Sequence, residues 1–459
     1  MYLIDFNQPI HIHFIGIGGI SMSGLADVLL DRGFTVTGSD MKPSELTDHL
    51  TARGAEIAFP QSADNIKPGI DLVVYTAAIH PDNPEFAAAE AAGLPMLNRA
   101  DLLGQMMQNY KNSIGVAGTH GKTTTTSMLS HILLEAEMDP TISVGGILPS
   151  IGGNIRVGKS DVFLTEACEY TNSFLSLFPK IAVILNMDAD HLDFFKDLDD
   201  IRRSFRRYAQ QVPADGTLVI NADTPAYETI TDGLPCRTIT YGLDSDQADY
   251  TARDIQFDNR GCASFICVYR GEEAGKITLS VPGLHNVSNA LAAVAAASAA
   301  GVPVETAARG LTSFTGTDRR FQFKGSIDGI DIIDDYAHHP TEIRATLATA
   351  AAASYHTIWC VFQPHTYTRT KTLMDEFADA LALTDRVVLA DIYAARETDN
   401  LGISSDTLRA EVEKRGTKAY YFPSFEEIEH FLMENCGKGD LILTVGAGDV
   451  YKIGEDLLA

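Results

Sequence analysis

Twelve consecutive residues read Ser113-Ile114-Gly115-Val116-Ala117-Gly118-Thr119-His120-Gly121-Lys122-Thr123-Thr124. The first five form an apolar run typical of a buried strand, and a helical pattern follows from residue 124 to residue 137. A glycine-rich turn between a strand and a helix lets backbone N–H groups surround phosphate oxygens, and the helix adds the positive end of its dipole. The stretch therefore predicts a nucleotide-phosphate loop in a domain of α/β type.

The side chains of this loop suit a nucleoside triphosphate and its metal ion. We expect Lys122 at the β- and γ-phosphates and the Thr123 hydroxyl at Mg²⁺. The strict pattern G-x-x-x-x-G-K-[ST] is not met, because Val116 occupies the first glycine position. The alternative, a glycine-rich turn with a solvated lysine, is disfavoured by the strand before the loop and the helix after it. The loop residues assigned to ATP are Gly118, Thr119, His120, Gly121, Lys122, Thr123 and Thr124.

A second glycine-rich turn, Gly16-Ile17-Gly18-Gly19-Ile20-Ser21-Met22-Ser23-Gly24, lies near the start of the chain. It follows a strand pattern and opens a helix pattern, the arrangement that brings backbone close to a diphosphate. With Asp40 at the end of the next strand, this turn alone indicates a nicotinamide-dependent dehydrogenase or a tight turn without ligand. Two separate phosphate loops favour a UDP-linked substrate plus ATP instead, because a dehydrogenase needs no lysine loop. The residues assigned to the UDP-sugar are Gly16, Gly18, Gly19, Ser39 and Asp40.

Length and composition limit the class of protein. A chain of 459 residues exceeds one ordinary core, so we expect three domains. The net charge of -26 argues against a nucleic-acid partner, which requires clustered Lys and Arg. The start Met1-Tyr2-Leu3-Ile4-Asp5 lacks a signal-peptide pattern. No apolar run approaches the roughly 20 residues that span a bilayer. No cysteines form a C-x-x-C pair. We therefore expect a cytoplasmic protein without membrane insertion, and the sequence leaves a homodimer open.

Strand patterns alternate with helical patterns in three segments of the chain. The first hundred residues show a βαβ rhythm, which predicts a parallel sheet with its ligand crevice at the carboxyl ends of the strands. The middle segment is rich in strand patterns at 217–279, and the third segment alternates again. We predict an α/β protein of three domains: a Rossmann-like domain at 1–106, a central P-loop ATPase domain with a mostly parallel sheet at 107–315, and a Rossmann-like domain at 316–459.

Acidic and histidine residues follow two strands of the middle segment. Glu166 comes after a strand that ends at Thr165, and His191 comes shortly after a strand that ends at Leu185. Because strand ends meet the nucleotide, Glu166 is a candidate Mg²⁺ ligand beside Thr123, and His191 is a candidate ligand of a second Mg²⁺. A helix cap or a surface position is the alternative for each of them.

Polar residues crowd a strand–helix junction in the third segment, which reads Asp334-Asp335-Tyr336-Ala337-His338-His339-Pro340-Thr341-Glu342. Zinc is disfavoured there, because adjacent histidines do not share a helix face and no cysteine accompanies them. Arg319 and Arg320 lie at the expected hinge, and Arg369 follows a strand pattern. Guanidinium groups suit phosphates and carboxylates, although a surface salt bridge is the usual alternative for one arginine.

These motifs together resemble the Mur ligases across nearly the whole chain. The shared motifs are G-x-G-G, G-T-H-G-K-T-T, E-A-C-E-Y-T-N-S-F-L, D-A-D-H-L-D, H-N-x-x-N at His285 to Asn289, G-T-x-R-R-F, D-D-Y-A-H-H-P-T-E and Q-P-H-T-Y-T-R-T. One departure concerns residues 201–207, which contain no lysine. The ligases of this family that add later residues carry a carbamylated lysine after the D-H motif, so we do not predict that modification.

The resemblance implies an ATP- and Mg²⁺-dependent ligase that joins L-alanine to the lactyl carboxylate of UDP-N-acetylmuramate through an acyl phosphate, in peptidoglycan precursor synthesis. It places UDP-N-acetylmuramate against the first domain and ATP against the second, with the third closing over both. By position, the resemblance implies Lys122, His191, His338 and Arg369 as catalytic residues and Thr123, Glu166 and His191 as metal ligands. It adds Asn289, Arg320 and Asp335 to the ATP site. The residues that contact the amino acid would be Tyr336, His338, His339 and Arg369.

Two other functions stay open at this point. A recycling ligase that attaches a preformed tripeptide to the same sugar nucleotide shares most of these motifs. A nicotinamide-dependent dehydrogenase, from a different class, predicts NAD(H) binding and no ATPase activity. Lys122 argues against the dehydrogenase, because hydride transfer requires no lysine at a triphosphate.

Overall fold

The computed structural model describes residues 4–76, 78–192, 194–245, 247–395 and 397–459. Met1–Leu3 of the N-terminal segment and Asp193, the last residue of D-A-D-H-L-D, lie outside the described residues. The chain forms two compact units. Unit 1 consists of Met1–Met187, Arg202–Tyr241 and Ala292–Gly310, and unit 2 consists of Asp188–Ile201, Gly242–Leu291 and Leu311–Ala459.

Strands and helices alternate along the first half of the chain. The strands are β1 (His11–Ile15), β2 (Thr35–Ser39), β3 (Glu56–Ala58), β4 (Leu72–Tyr75), β5 (Met96–Asn98), β6 (Asn112–Ala117), β7 (Thr141–Leu148), β8 (Gly153–Arg156), β9 (Val162–Ala167), β10 (Ile181–Ile184), β11 (Thr217–Asn221) and β12 (Arg237–Tyr241). The helices are α1 (Ile20–Asp31), α2 (Glu45–Ala52), α3 (Pro84–Ala91), α4 (Arg99–Met107), α5 (Lys122–Glu135), α6 (Leu198–Ala209) and α7 (Glu228–Thr231). Short 3₁₀ turns occupy Ala63–Asn65, Pro149–Ile151 and Tyr170–Ser176.

The second half continues the alternation after a strand-rich stretch. Its strands are β13 (Tyr250–Phe257), β14 (Cys262–Tyr269), β15 (Glu272–Pro282), β16 (Gln322–Ile327), β17 (Ile330–Asp335), β18 (Ile358–Phe362), β19 (Arg386–Leu389), β20 (Lys418–Tyr421) and β21 (Leu441–Val445). Its helices are α8 (Leu284–Ala299), α9 (Val304–Ser313), α10 (Pro340–Ala351), α11 (Tyr367–Thr372), α12 (Met374–Leu381), α13 (Ser405–Lys414), α14 (Phe425–Asn435) and α15 (Tyr451–Leu458).

The first sheet of unit 1 is parallel and has the strand order β3-β2-β1-β4-β5. Its central strand β1 contributes Ile12, Phe14 and Ile15, all fully buried, as a strand covered on both faces requires. The strand order reverses on the two sides of β1, and the turn at Gly16 follows that strand. Doubly wound sheets bind their ligands at this kind of reversal.

The second sheet of unit 1 has the order β12-β11-β10-β6-β9-β7-β8 and is parallel except for the β7–β8 pair. Strand β6 lies between β10 and β9. Its last residue, Ala117, pairs with Ile184 on one side and with Ala167 on the other. This register brings the segments that follow β9 and β10 to the same edge as the phosphate loop after β6.

Unit 2 contains the antiparallel strands β13, β14 and β15 and a six-stranded sheet in the order β16-β17-β21-β18-β19-β20. Within that sheet only β16 runs antiparallel to its neighbour. Side chains of β18 alternate between two buried clusters, with Ile358, Cys360 and Phe362 in one and Trp359 and Val361 in the other. Alternate side chains of a strand point to opposite faces of the sheet, and here both sets are buried, so helices must cover both faces of this sheet.

The predicted α/β fold with three domains and mostly parallel sheets is confirmed. Several predicted bounds were wrong by a few residues. The helix after the phosphate loop begins at Lys122 rather than residue 124 and ends at Glu135, because Gly121 is already its N-cap. Glu166 lies inside β9 rather than after it. Among the described residues every helix is too short or too polar to cross a bilayer.

The sequence patterns missed several short strands. Strands β3 and β5 each have only three residues, so they show no periodicity of their own. They form because a neighbouring strand offers unpaired backbone groups, which local propensity does not reveal. The predicted domain boundaries near residues 106 and 315 stay predictions.

Close packing of α4 against the chain after β9 generates the first prediction. A Cβ at Gly104 of α4 would lie 1.8 Å from the backbone oxygen of Ser176. Alanine normally stabilises a helix interior by roughly 0.5–1 kcal/mol over glycine, but a clash with backbone costs about 1–3 kcal/mol. We expect Gly104→Ala to lower the urea midpoint of unfolding. Gly437→Ala is the control, because no atom lies within 4 Å of that Cβ; equal midpoints in the two variants would contradict the packing argument.

Candidate active site

The phosphate loop of unit 1 depends on two glycines with positive φ. Gly118 has φ +147°, and a Cβ there would lie 2.8 Å from the Leu185 Cβ. Gly121 has φ +83° and is the N-cap of α5. L side chains rarely adopt either conformation, so glycine is required at both positions. The loop thereby exposes backbone at the helix N-terminus, where a phosphate is favoured.

Asn186, in the segment that follows β10, fixes this loop from the side of the neighbouring strand. The His120 backbone N–H donates to the Asn186 side-chain oxygen at 2.8 Å, and the Asn186 amide donates to the His120 carbonyl at 3.0 Å. The Thr119 N–H also donates to the Asn186 carbonyl, at 3.2 Å. The sequence patterns predicted no role for Asn186. The Asn186 side chain therefore forms with the His120 backbone the two hydrogen bonds that a neighbouring strand would otherwise form.

Lys122 is held by three acceptors. Its Nζ donates to the carbonyls of Gly118 at 2.5 Å and Thr119 at 3.0 Å, and to Glu169 Oε2 at 2.9 Å. Burial disfavours the charged ammonium, but Glu169, with Cys168 and Glu166, outweighs that effect and raises the pKa of Lys122 above its usual value. Lys122 is therefore charged at neutral pH, as a phosphate ligand must be.

Thr123 and Glu166 supply oxygen atoms beside the lysine. The Thr123 hydroxyl donates to Glu166 Oε2 at 3.2 Å, and the Gly145 N–H donates to Glu166 Oε1 at 2.5 Å. A Cβ at Gly145 would lie 2.8 Å from that carboxylate, so glycine leaves the space it needs. A hydroxyl and a carboxylate are the hard oxygen donors that Mg²⁺ prefers, and the two residues fit a metal bound with phosphate and water.

The N-terminal glycine turn is ordered by the end of β2. Gly16 and Ile17 donate their N–H groups to the Ser39 carbonyl, and the Gly18 N–H donates to Asp40 Oδ2 at 2.7 Å. The Ser39 side chain is fully buried and donates to Glu85, so Ser39 acts on the turn through its backbone. Asp40 Oδ1 accepts from the Met41 N–H at 2.7 Å. Both carboxylate oxygens of Asp40 thus order backbone next to the predicted UDP-sugar residues.

Unit 2 places Arg369 on a buried carboxylate. Arg369 donates from Nε and Nη2 to Asp190 Oδ1 at 3.2 and 3.0 Å, and its Nη1 lies 3.2 Å from His365 Nδ1. Burial opposes ionisation of Asp190, but Arg369 above all, together with neighbouring histidines, holds the pKa of that carboxyl well below its usual range. Asp190 was quoted in D-A-D-H-L-D without a role, and it proves to be the partner of Arg369.

Three predicted histidines of unit 2 have different surroundings. His191 follows Asp190, adopts φ +53°, and its Nε2 lies 3.8 Å from Asp190 Oδ2. His339 caps α10: its Nδ1 accepts from the Thr341 N–H, so Nε2 carries the proton and donates to the Ala189 carbonyl at 3.3 Å. Burial lowers the pKa of His338 to about 4, although Glu342 opposes the effect. His338 is therefore neutral at pH 7.

The remaining predicted residues of unit 2 lie around β17. Asp335 accepts from the N–H groups of Phe321 at 2.8 Å and Ala337 at 2.7 Å, and burial raises its pKa to about 6 despite Arg320 nearby. The Arg320 guanidinium lies 5.3 Å from the centroid of the Tyr336 ring. Asn289, on α8, donates to Asn286 Oδ1 at 3.1 Å. The structure describes no ion pair for the Arg320 side chain, whereas the preceding residue, Arg319, has one.

That neighbour, Arg319, has a structural role. Its Nε donates to Asp334 at 3.0 Å and its Nη2 donates to the Gly446 carbonyl at 2.7 Å. The pair in G-T-x-R-R-F therefore divides between one arginine tied to the sheet and one next to Asp335. Sequence alone treats the two residues alike.

The structure thus groups the predicted residues by unit. In unit 1 the described contacts form two groups. The first contains Gly118, Thr119, His120, Gly121, Lys122, Thr123 and Glu166, with Thr124 next to them on α5. The second contains Gly16, Gly18, Ser39 and Asp40, with Gly19 as the N-cap of α1. In unit 2 the groups are His191, Arg369 and His339 with the 188–190 segment, and Arg320, Asp335, Tyr336 and His338 at the end of β17. The residues missed were Glu169, Asn186 and Asp190, whose signal was their position after a strand.

A phosphate loop and an ordered glycine turn at a strand reversal, in an α/β fold, define the chain as a nucleotide-binding protein. Three family models match the chain: "Mur ligase family, catalytic domain" over residues 11–111, "Mur ligase middle domain" over 116–297 and "Mur ligase, glutamate ligase domain" over 319–448.

Full-length relatives agree with those models. The chain is 60% identical over 458 residues to the UDP-N-acetylmuramate–L-alanine ligases of Lachnospira eligens and Agathobacter rectalis, with 100% of each chain covered. Among solved structures it matches the UDP-N-acetylmuramate-alanine ligase of Thermotoga maritima with a TM-score of 0.79 at 31% identity, over 98% of both chains. A murein peptide ligase from Psychrobacter arcticus gives a TM-score of 0.70 at 26% identity, also over 98% of both. The chain belongs to the Mur ligase family.

The pair of Arg369 and Asp190 generates the second prediction. The side chains are only 13% and 7% exposed. Removing one partner of a buried pair leaves an uncompensated charge and costs about 3–5 kcal/mol. We expect Arg369→Gln to lower the free energy of unfolding in urea by that amount, and Arg369→Gln/Asp190→Asn to recover most of the loss. Equal losses in the single and double variants would contradict this interpretation.

Proposed function

We propose that this chain is an ATP-dependent ligase that joins L-alanine to the lactyl carboxylate of UDP-N-acetylmuramate, in the synthesis of peptidoglycan precursors. The observation that carries the proposal is the charged Lys122 in a glycine loop beside the Thr123–Glu166 pair. The 60% identity to full-length relatives named for this reaction supports the choice of substrates.

A carboxylate does not react with an amine at neutral pH, so the carboxylate must first be activated. In the proposed reaction a lactyl oxygen takes the γ-phosphoryl group of ATP, which yields an acyl phosphate and ADP. The neutral amine of L-alanine then attacks the acyl carbon, the nitrogen gives up one proton to solvent as the amide bond forms, and inorganic phosphate leaves with the C–O bond pair. Lys122 offsets the negative charge gathered in the first step.

The predicted residues take these roles in the proposal. Bound Mg²⁺ would neutralise phosphate charge, with Thr123 and Glu166 as its ligands in unit 1 and His191 as a ligand of a second ion. The loop 118–124 holds the phosphates, joined by Asn289, Arg320 and Asp335 as further ATP contacts. The turn at Gly16, Gly18 and Gly19 holds the UDP-sugar, supported by Ser39 and Asp40. Tyr336, His338, His339 and Arg369 receive the amino acid.

We retain the domain boundaries 1–106, 107–315 and 316–459 as part of the proposal. The gap between the second and third matching family models, at residues 297–319, contains the boundary at 315, whereas the first model extends to residue 111, a few residues past the boundary at 106. A cytoplasmic location is supported by six free cysteines, the state expected in a reducing compartment. A homodimer stays an untested prediction.

The two rival functions are less well supported. A tripeptide-recycling ligase has a counterpart in the murein peptide ligase structure, which the chain matches at 26% identity with a TM-score of 0.70, against 31% and 0.79 for the alanine ligase structure. The dehydrogenase hypothesis gives no role to Lys122 or to the Thr123–Glu166 pair.

The proposed substrates predict which acceptor the enzyme uses. With ATP, Mg²⁺ and UDP-N-acetylmuramate, L-alanine should release inorganic phosphate and give a nucleotide product heavier by one alanyl residue in mass spectrometry. Glycine, L-serine and the preformed tripeptide are run in parallel. Preferential use of the tripeptide would identify the recycling ligase, and absence of phosphate release with every acceptor would exclude the proposed function.

The role of Lys122 gives the next prediction. Lys122→Ala should lower phosphate release by about 100-fold or more, the usual cost of losing a charge-stabilising donor. Because Glu169 is then left buried without its cation, the variant should also be less stable. Lys122→Ala/Glu169→Gln is the matched control: it removes that charge and should regain stability while staying inactive. Near-normal turnover in either variant would remove Lys122 from the mechanism.

A further inference from the structure

Arg99 of unit 1 is a half-buried cation without a described counter-ion. It directly follows β5 and is the first residue of α4. No described residue forms an ion pair or a hydrogen bond with its guanidinium group. Burial lowers the pKa of Arg99, although Cys168 opposes that effect, and a guanidinium stays protonated in proteins. Arg99 therefore carries a positive charge that no described carboxylate offsets.

The acid nearest to Arg99 in sequence, Asp101, has other partners. Its Oδ2 accepts from the Asn98 amide and its Oδ1 accepts from the Ser176 hydroxyl, each at 2.6 Å. The Asn98 side chain also caps α4, because it accepts from the N–H groups of Ala100 and Asp101. The positive end of the helix dipole disfavours a cation at the first helical position. Local structure therefore gives Arg99 no partner, and folding places its charge there at a cost.

The position of Arg99 in the first sheet is next to the N-terminal glycine turn. Ile15 of β1 pairs with Tyr75 of β4, and Tyr75 pairs with Asn98 of β5. Gly16 and Arg99 are the residues that follow β1 and β5, so both lie at the carboxyl edge of the sheet. Neighbouring strands are roughly 4.8 Å apart, so only two strand spacings separate these two backbones. This edge is where doubly wound sheets bind their ligands.

On its other side, Arg99 meets the segment that follows β9. Helix α4 packs on that segment, as the 1.8 Å from a Cβ at Gly104 to the Ser176 oxygen indicates. Cys168 of that segment lies close enough to both Arg99 and Lys122 to interact with each cation electrostatically. Arg99 and Lys122 therefore approach the same residue, one from the first sheet and the other from the phosphate loop.

We propose that Arg99 binds the lactyl carboxylate of the UDP-sugar and holds it beside the γ-phosphate of ATP. This inference rests on the proposed function, because it takes UDP-N-acetylmuramate and ATP as the ligands of the two loops. With the diphosphate at the glycine turn and the γ-phosphate at Lys122, the carboxylate must lie between them, where Arg99 is. A guanidinium offers two parallel N–H donors to a carboxylate and so fixes its orientation as well as its position.

The experiment distinguishes the carboxylate from the diphosphate, the other anion of this substrate. Calorimetry in saturating MgCl₂ and AMP-PNP, without L-alanine, gives the dissociation constants of UDP-N-acetylmuramate, UDP-N-acetylglucosamine and UDP. The last two carry the diphosphate but no lactyl group. Arg99→Met removes the charge and keeps an apolar side chain. We expect its Kd for UDP-N-acetylmuramate to rise at least about tenfold and the other two constants to change by less than about threefold.

Two comparisons separate a binding role from a structural one. Arg99→Lys keeps the charge without the fork and should recover part of the lost affinity for UDP-N-acetylmuramate. Arg99→Met leaves no described partner behind, so its urea midpoint of unfolding should equal or exceed that of the wild type. The control is Arg260→Met, which removes an arginine that is 79% exposed between β13 and β14 and should leave all three constants unchanged. Arg99→Gln serves if Arg99→Met does not fold.

The outcomes separate the inference from the function on which it rests. An equal loss for all three ligands in Arg99→Met, or no loss for UDP-N-acetylmuramate, overturns the role of Arg99 alone. Wild-type protein that binds no UDP-N-acetylmuramate overturns the proposed function and the inference with it. A loss that is confined to UDP-N-acetylmuramate, with a urea midpoint no lower than that of the wild type, supports binding of the carboxylate by Arg99.

Discussion

Compensation of buried charge is the constraint on which the candidate sites depend. In a chain with net charge -26, each unit holds one key cation against one buried carboxylate: Lys122 with Glu169, and Arg369 with Asp190. Each carboxylate lies within 3.0 Å of its cation, so the partner offsets part of the desolvation cost of each buried charge. Each pair follows the carboxyl end of a strand, where a parallel sheet leaves a crevice for ligands.

Backbone geometry provides the second layer of each site. Glycines at positions 118 and 121 adopt conformations that other residues avoid, and Asn186 replaces the strand partner that the loop has lost. In the N-terminal turn the same task falls to the Ser39 carbonyl and the Asp40 carboxylate. Both glycine turns are thus held by the adjacent strand, so their backbone is ordered without help from a ligand. Preorganisation of this kind lowers the ordering cost of binding.

Local patterns predicted the strands β6, β9 and β10 and the phosphate loop, because apolar runs, glycines and lysine act through neighbours in sequence. They did not predict β3 or β5, whose formation depends on a partner strand. They also did not separate Arg319 from Arg320: only the fold brings Asp334 and Gly446 to the first of them. The motif E-A-C-E attracted attention for its first acid, whereas the ion pair with Lys122 belongs to its second.

The sequence by itself determined the fold class, the two glycine turns and the residue types that suit phosphate and metal, because these depend on backbone freedom and chemistry within a few residues. Tertiary structure decided the pairings. Lys122 and Glu169 are 47 positions apart, and Arg369 and Asp190 are 179 apart. No local preference specifies such contacts, since they arise where parallel strands end at the same edge or where distant segments pack. The burial that makes those pairs strong is likewise a property of the folded chain alone.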